Sequence, residues 1–282
     1  MTRSVLVPSS LIREAEDKRE ATRKLGYVAR AAAVFRVDRL VVFPDPSGET
    51  GRWGDGFVGT VLEYAATPPY LRKEAWDRRG ELEYVGVLPP LRVRAQTGSG
   101  SQSSGSLRQG IVTEVGPDER VRVNCGLQHP ISLVVPPDME VDAGERVTVR
   151  VSSRRPVRAK LVDEPAPGFT VERATMADAL ARDDAGVRIA ASRHGEPLAA
   201  RRLPSLVEEC RDGCTVVFGA PARGLPEMGL RPGEETIGED PTGVSDPAAR
   251  VDLWLNTVPN QGSEVVRTEE AMFATLAPLS LE

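Results

Sequence analysis

The stretches Val216-Val217-Phe218-Gly219-Ala220-Pro221-Ala222-Arg223-Gly224-Leu225 and Leu253-Trp254-Leu255-Asn256-Thr257-Val258-Pro259-Asn260-Gln261-Gly262-Ser263 decide the fold. In both, a short apolar run is followed at once by a loop rich in Gly and Pro. Ligands of open α/β sheets bind beyond the carboxyl ends of the strands. Glycine there lets the backbone come close to a ligand, and proline fixes the path of the chain. Neither loop contains the Gly-Lys-Ser/Thr of a phosphate loop or a Gly-x-Ser-x-Gly elbow. A neutral, backbone-rich pair of loops suits a zwitterionic, adenine-bearing ligand better than a triphosphate. Two ligand-free turns are the plainer alternative.

Working outward, the same grammar recurs on both sides. Ser4–Val7 reads as a strand, and Ser9 or Ser10 is placed to cap a helix running to about Phe35. Arg39–Phe43 is a nearly all-apolar strand, Pro44–Gly56 a loop, and Phe57–Ala66 a helix stopped by Thr67–Pro69. This β-α-β-α order belongs to a parallel sheet. Downstream, Thr175–Arg182 and Ser205–Arg211 read as helices, Gly186–Ala191 and Cys214–Phe218 as strands. A Gly/Pro/acid loop, Pro226–Pro247, leads to the strand Val251–Leu255 and a last helix over about Thr268–Leu276. Between the two α/β pieces the period changes. Gly110–Val115, Arg120–Cys125, Ile131–Val135 and Arg146–Val151 are short alternating runs separated by turns, the pattern of a small β-barrel. Gly98–Ser106 is a flexible loop within it. The first piece alone has two strands, too few for a stable sheet, so the barrel interrupts one α/β domain.

Composition narrows the function. The chain of 282 residues is 40% hydrophobic and carries a net charge of −5. It has no apolar run long enough to span a membrane and no secretory pattern at its start, so a cytoplasmic location is expected. Cys125, Cys210 and Cys214 are an odd set without close pairs, read as buried thiols rather than a disulfide or zinc framework. The charge is uneven. Residues 91–160 carry 11 basic and 7 acidic side chains, a net of +4, which leaves −9 for the rest. A basic segment on an acidic chain is a candidate backbone-binding footprint for nucleic acid. A solvated surface gives the same count.

Three stretches, in order, resemble the motifs of SPOUT methyltransferases. Residues 24–42, KLGYVARAAAVFRVDRLVV, are similar to the first motif, a helix with a functional Arg followed by a strand. VVFGAPARGL is similar to the second, a strand followed by Gly-x-x-x-x-Gly-Leu. VDLWLNTVPNQGSEVVRTEEAMFATL is similar to the last loop and C-terminal helix. Thr67–Lys73 and Gly86–Leu91 extend the resemblance to an archaeal and eukaryotic subfamily of RNA methyltransferases in which an OB-like barrel interrupts the SPOUT domain.

The resemblance implies an α/β SPOUT domain with a trefoil knot, an exception to unknotted topology. Residues 1–83 and 164–282 would form it, and 84–163 the inserted all-β barrel. S-adenosyl-L-methionine would lie in the knot against Phe218, Gly219, Pro221 and Gly224 of one loop. From the other loop, Leu255, Asn256, Val258, Pro259, Gln261 and Gly262 would hold it, with Ser192 in a third loop, Ser192–Gly195. Ala220 stands where the subfamily commonly has Ser, so a hydroxyl contact is missing there. The implied activity is methylation of an RNA base, ribosomal RNA before transfer RNA and a uridine ring nitrogen foremost, by a homodimer. A non-catalytic RNA-binding or assembly protein keeping the fold is the alternative.

Methyl transfer from a sulfonium is an in-line displacement, so the protein must position the acceptor and in some cases remove its proton. Arg30, Arg223 and Arg267 are the catalytic candidates, acting on the acceptor or its phosphates; each also reads as an ordinary surface or helix-end charge. Arg193, His194, Glu269 and Glu270 are further candidates. No metal site is expected. The barrel stretch Leu91–Val162 contains no Phe, Tyr or Trp, so stacking is not its mode. Phosphate contacts through Arg92, Arg94, Arg108, Arg120, Arg122, Arg154, Arg155 and Arg158 would have to carry RNA affinity. Protein contact is the competing role.

Overall fold

The computed structural model describes residues 2–49, 51–53, 56–93, 106–231 and 250–281. Arg94, most of Gly98–Ser106 and most of Pro226–Pro247 lie outside the described residues. The chain divides into two compact units. One comprises Met1–Glu63, Glu81–Pro90 and Phe169–Glu282, the other Tyr64–Gly80 and Leu91–Gly168.

The first unit is built on six strands: β1 (Thr2–Pro8), β2 (Arg39–Phe43), β8 (Thr170–Arg173), β9 (Val187–Pro197), β10 (Gly213–Phe218) and β11 (Leu253–Asn256). They form one sheet, all parallel, in the order β11-β9-β10-β1-β2-β8. Its central strands are buried on both faces, which is why they are continuous apolar runs: Val5, Leu6 and Val7 of β1, Leu40 and Val41 of β2, and Val216 and Val217 of β10 are all fully buried. Helix α1 (Lys18–Val34) packs Leu25, Val28 and Ala32 inward and meets α6 (Thr268–Leu276) through an edge contact between Phe35 and Phe273. Helices α2 (Phe57–Ala66), α4 (Met176–Leu180) and α5 (Leu203–Glu209) complete its set. Among the described residues no helix is long and apolar enough to cross a membrane.

Helix α1 starts later than the sequence suggested. Asp17, not Ser9 or Ser10, is its cap and accepts from the Glu20 backbone N–H at 2.7 Å. The two serines are engaged elsewhere. Ser9 Oγ accepts from the Asp45 N–H at 2.9 Å, and Ser10 Oγ donates to Asp45 Oδ2 at 2.5 Å. Residues 192–195, expected as a loop, belong to β9. The strand runs on to Pro197 because β11 pairs with it across a register shift, and Gly195 lies so close to the Leu255 backbone that a Cβ would sit 2.6 Å from it.

The second unit carries the strands β3 (Ser106–Val115), β4 (Arg120–Asn124), β5 (Ile131–Val134), β6 (Arg146–Arg154) and β7 (Val157–Val162), and the short helix α3 (Arg72–Ala75). The strands form an antiparallel sheet in the order β5-β4-β3-β6-β7. The edge strands β5 and β7 approach each other, giving a nearly closed barrel around Val121, Val123, Leu133, Val147, Val149 and Leu161. Residues 64–80 join this unit through polar anchors. Tyr70 donates its hydroxyl to the Gln109 carbonyl at 2.9 Å, and Arg146 Nη2 donates to Thr67 Oγ1 at 2.8 Å. Burial pushes the Tyr70 hydroxyl up to about 12. Arg108, expected among the phosphate contacts, is instead buried. Its Nη1 donates to the Cys125 and Gly126 carbonyls at 2.8 and 3.1 Å, and its guanidinium lies 5.5 Å from the Tyr70 ring centre. A charge so enclosed holds the barrel together rather than reaching a polyanion.

Candidate functional site

In a parallel sheet every strand ends at the same edge, and loops from neighbouring strands meet there. At this edge β10 and β2 flank β1. The loop after β10 therefore faces the loop after β2 across the residues that follow β1.

The loop after β10 is a tight turn. Ala220 and Arg223 exchange backbone hydrogen bonds at 3.0 Å each way, with Pro221 and Ala222 at the tip. Ala222 takes φ 54, a left-handed position usually given to Gly. Gly219 is required by the closure of this turn, since a Cβ there would lie 2.9 Å from the Arg223 carbonyl oxygen. Thr268 Oγ1 donates to the Gly219 carbonyl at 2.8 Å and so ties the start of α6 to the loop. On the neighbouring strands, Asn256 Nδ2 donates to the Arg193 carbonyl at 3.1 Å while its Oδ1 accepts from the Val258 N–H at 3.0 Å. Gln261 Nε2 donates to the Ser263 carbonyl at 2.9 Å. These two amide side chains shape the loop that carries them.

Between the loops lies a cavity of about 210 Å³. Of the residues singled out in the sequence, Ser192, Phe218, Gly219, Gly224, Asn256, Val258, Gln261 and Arg223 line it, as do Arg193 and His194; Pro221, Leu255, Pro259 and Gly262 do not. The sequence reading missed Glu227, Glu264, Val265, Val266, Thr268 and Ala271, which complete the wall. No periodicity marks them, because they sit on loops and on a helix start brought in by topology. The lining suits an adenosyl amino acid in kind. Phe218, Leu225, Val258 and Val266 are apolar, loop carbonyls and amides are close by, and Glu227 and Glu264 favour a cation. The volume is below the roughly 300 Å³ of small ordinary ligand sites, so part of such a ligand would extend beyond it.

Arg223, one of the catalytic candidates, is committed inside the protein. Its Nε lies 2.9 Å from Asp45 Oδ2 and its Nη2 3.0 Å from Asp45 Oδ1, and Nη2 also donates to the Glu227 carbonyl at 3.0 Å. Asp45 is 4% exposed. The charge-assisted bond to it holds the Arg223 guanidinium above its ordinary pKa. Arg30 and Arg267 do not line the cavity. Arg30 on α1 donates to the Pro90 carbonyl at 3.3 Å. Arg267 caps α6, its backbone N–H given to Glu270 Oε2 at 2.9 Å and its Nε 3.1 Å from Glu14 Oε1. Glu14 also pairs with the buried Lys24 at 2.7 Å. Glu269 is buried at the start of α6, and burial raises its carboxyl above the usual range. Among the described residues, no three His, Cys, Asp or Glu side chains gather to hold a metal.

At the same edge, in front of β1, β2 and β8, lies a larger cavity of about 560 Å³, lined by the aromatic side chains of Phe43, Trp53 and Phe57 together with Arg13, Arg52 and Arg173.

Residues 2–279 match the family described as "Putative RNA methyltransferase". An uncharacterized protein of Haloarcula marismortui is 70% identical over 100% of this chain and 99% of its own length. The 28S rRNA (uridine-N(3))-methyltransferase of Homo sapiens is 31% identical over 99% of this chain and 77% of its own length. That of Drosophila melanogaster is 28% identical over 99% of this chain and 61% of its own length.

Proposed function

The chain belongs to this family of RNA methyltransferases, and from that premise we propose that it transfers a methyl group from S-adenosyl-L-methionine to a ring nitrogen of a uridine in ribosomal RNA. One observation carries the reading. In a chain that the family spans almost from end to end, strand β9 and the loops after β10 and β11 converge on a cavity of backbone groups, apolar side chains, two carboxylates and two guanidiniums at the ligand-binding edge of a parallel sheet. The uridine N3 target comes from the names of the human, mouse and fly relatives. We assign the α/β unit to the SPOUT class with its trefoil knot, and the barrel to an OB-like RNA-binding insertion.

When bound, the cofactor supplies an electrophilic methyl on a sulfonium. The chain supplies position. Gly219 lets the turn close, and Thr268 holds that turn against α6. Glu264 would offset positive charge of the bound cofactor, and Glu227 balances Arg223, 3.5 Å away. Uridine N3 carries a proton that must leave, and Glu227, Glu264 and His194 are the groups of the wall able to accept it. Arg193 lines the cavity as an anchor for RNA phosphate. Arg30 lies outside the cavity, so its action on the acceptor requires a second copy of the chain, as in a homodimer whose sites form where subunits meet. Arg267 and Glu270 define the start of α6 and act on the site through Thr268. A cytoplasmic location fits ribosomal RNA as substrate.

Two measurements test this. Calorimetry of the full chain with S-adenosyl-L-methionine should show one saturable site per chain. Mass spectrometry of ribosomal RNA nucleosides should find 3-methyluridine in the parent strain and its loss on deletion of the gene. Cofactor binding with an unchanged nucleoside profile would overturn the uridine assignment. No cofactor binding at all would leave the non-catalytic RNA-binding alternative.

A further inference from the structure

We propose that the second cavity, in front of β1, β2 and β8, is a pocket for a single unstacked nucleotide of the RNA substrate, separate from the methyl-donor cavity and joined to it by Arg223, Asp45 and Ser10. The inference rests on the RNA methyltransferase reading above. At about 560 Å³ the cavity lies inside the roughly 300–1,000 Å³ range of small-molecule sites, whereas the donor cavity does not. Its chemistry is that of a nucleotide. Trp53 is the partly exposed ring, backed by the buried Phe57 with ring centres 6.1 Å apart and lying 5.3 Å from the Arg52 guanidinium, while Phe43 is buried behind the wall. Ser9 Oγ, which accepts from the Asp45 N–H, keeps its own proton for a base edge or ribose, while the Ser10 and Thr175 hydroxyls are held by Asp45 and Asp178.

Among the described residues that line it, three guanidiniums, Arg13, Arg52 and Arg173, stand beside one carboxylate, Glu49, and Arg173 also lies 3.7 Å from Glu63 Oε1 outside the lining. Arg52 is partly occupied, donating to the Ala15 and Glu16 carbonyls at 3.0 Å each. Arg173 lies over Gly56 and Gly59, where a Cβ on Gly59 would come within 2.6 Å of its Nε. Two glycines in this stretch thus make room for one guanidinium at the rim. A base wants an apolar face to stack on and its phosphate wants cations, and both are present here. The sulfonium of the donor is disfavoured by the same cations, whereas in the donor cavity Glu227 and Glu264 balance Arg193 and Arg223. The two cavities meet at one buried carboxylate. Asp45 receives Ser10 from the nucleotide side and Arg223 from the donor side.

The probe is uridine 5′-monophosphate, titrated calorimetrically into the full chain, with uridine as the phosphate-free control. The monophosphate should bind, and uridine more weakly. Trp53→Leu and Arg13→Ala should each weaken monophosphate binding by about tenfold or more, the loss expected from removing one stacked ring or one phosphate cation. Their affinity for S-adenosyl-L-methionine should stay at the parent value. With ribosomal RNA as substrate both variants should raise KM and leave kcat nearly unchanged. Thermal melts of the two variants guard against misfolding, and Arg13, at the cavity rim, is the more conservative change. Monophosphate affinity unchanged in both variants overturns the pocket, as does no binding at millimolar concentration. Loss of donor affinity together with monophosphate affinity would instead place the cofactor here and overturn it as well. If the parent neither binds the donor nor methylates RNA, the methyltransferase reading fails, and the monophosphate titrations still decide whether this cavity takes a nucleotide.

Discussion

Arg223 and Asp45, 178 residues apart in the chain, form a two-pronged ion pair at the ligand-binding edge of the sheet, with Nε to Oδ2 at 2.9 Å and Nη2 to Oδ1 at 3.0 Å. It locks the loop after β10 to the loop after β2. Gly48 belongs to the same lock, because a Cβ there would lie 2.0 Å from Asp45 Oδ2. Asp45→Ala leaves the Arg223 cation with only Glu227 Oε2, 3.5 Å away, as counter-charge, and breaking a buried pair from one side costs about 3–5 kcal/mol. Arg223→Ala leaves a buried carboxylate that keeps its bond from Ser10 and can protonate, so it should cost less. The double variant should be less destabilised than the sum of the two, with a coupling of about 0.5–3 kcal/mol by chemical denaturation. Donor affinity should fall together in both single variants. If Arg223→Ala loses RNA affinity while Asp45→Ala does not, Arg223 contacts the RNA directly and the lock is incidental.

Gly219 and Gly262 look alike in the sequence, as sites of close ligand approach, and the structure separates them. A Cβ on Gly219 would sit 2.9 Å from the Arg223 carbonyl oxygen, while one on Gly262 meets nothing within 4 Å. Gly219→Val should open the turn and weaken donor binding by roughly ten- to a hundredfold, the equivalent of about 1–3 kcal/mol of overpacking. Gly262→Ala should melt with the parent. Any donor affinity it loses then reports a ligand contact rather than damage to the loop. Parental donor affinity in Gly219→Val would remove the β10 turn from the site.

Glu269 gives stability a defined pH dependence. Burial raises its carboxyl in the folded state, with smaller lowering from its own backbone N–H and from Lys24. The folded state therefore holds this proton to higher pH than the unfolded chain does. Between the two pKa values the contribution of this residue to stability falls as pH rises, and it is most favourable below the ordinary carboxylate range. Glu269→Gln should accordingly raise Tm at neutral pH, and the gain should vanish in acid. Equal melting of variant and parent across this range would show that the neighbouring Lys24 fully compensates the carboxylate.

Local physics explains which parts are legible in the sequence. Strands β2 and β10 are legible because burial on both faces demands unbroken apolar runs, and α6 because its apolar spacing starts right after Arg267-Thr268. The cap of α1 is not, since Ser9 and Ser10 look like helix starters, yet their hydroxyls belong to Asp45, a partner some 35 residues away. Residues 192–197 look like a loop because they are polar. They are a strand only because β11 arrives beside them from more than 50 residues downstream. The same holds for the site. Phe218, Gly219, Asn256 and Val258 lie on strand ends and carry a pattern, whereas Glu227, Glu264 and the whole nucleotide pocket are assembled by topology from segments with no shared motif.

The barrel is proposed to supply RNA affinity, and its structure limits which charges can do so. Arg108 is internal, and Arg150 is paired with Glu164. Arg120, Arg122, Arg154, Arg155 and Arg158 are exposed, three of them clustered at the β6–β7 turn. Removing the whole insertion would strip Tyr70 and Thr67 of their partners Gln109 and Arg146, so point substitutions are the cleaner test. Arg154→Gln, Arg155→Gln and Arg158→Gln combined should weaken RNA binding and leave donor binding untouched, since no donor-cavity residue lies in this unit. Removing one cation from a phosphate should make the plot of log affinity against log salt shallower by about 0.7 on single-stranded RNA, so the triple variant should flatten the slope by up to about 2. Fluorescence anisotropy across a salt series measures both quantities. An unchanged slope would remove this turn from the RNA interface. The exposed Val115, Val134 and Val157 would then make the barrel surface a protein-contact face instead.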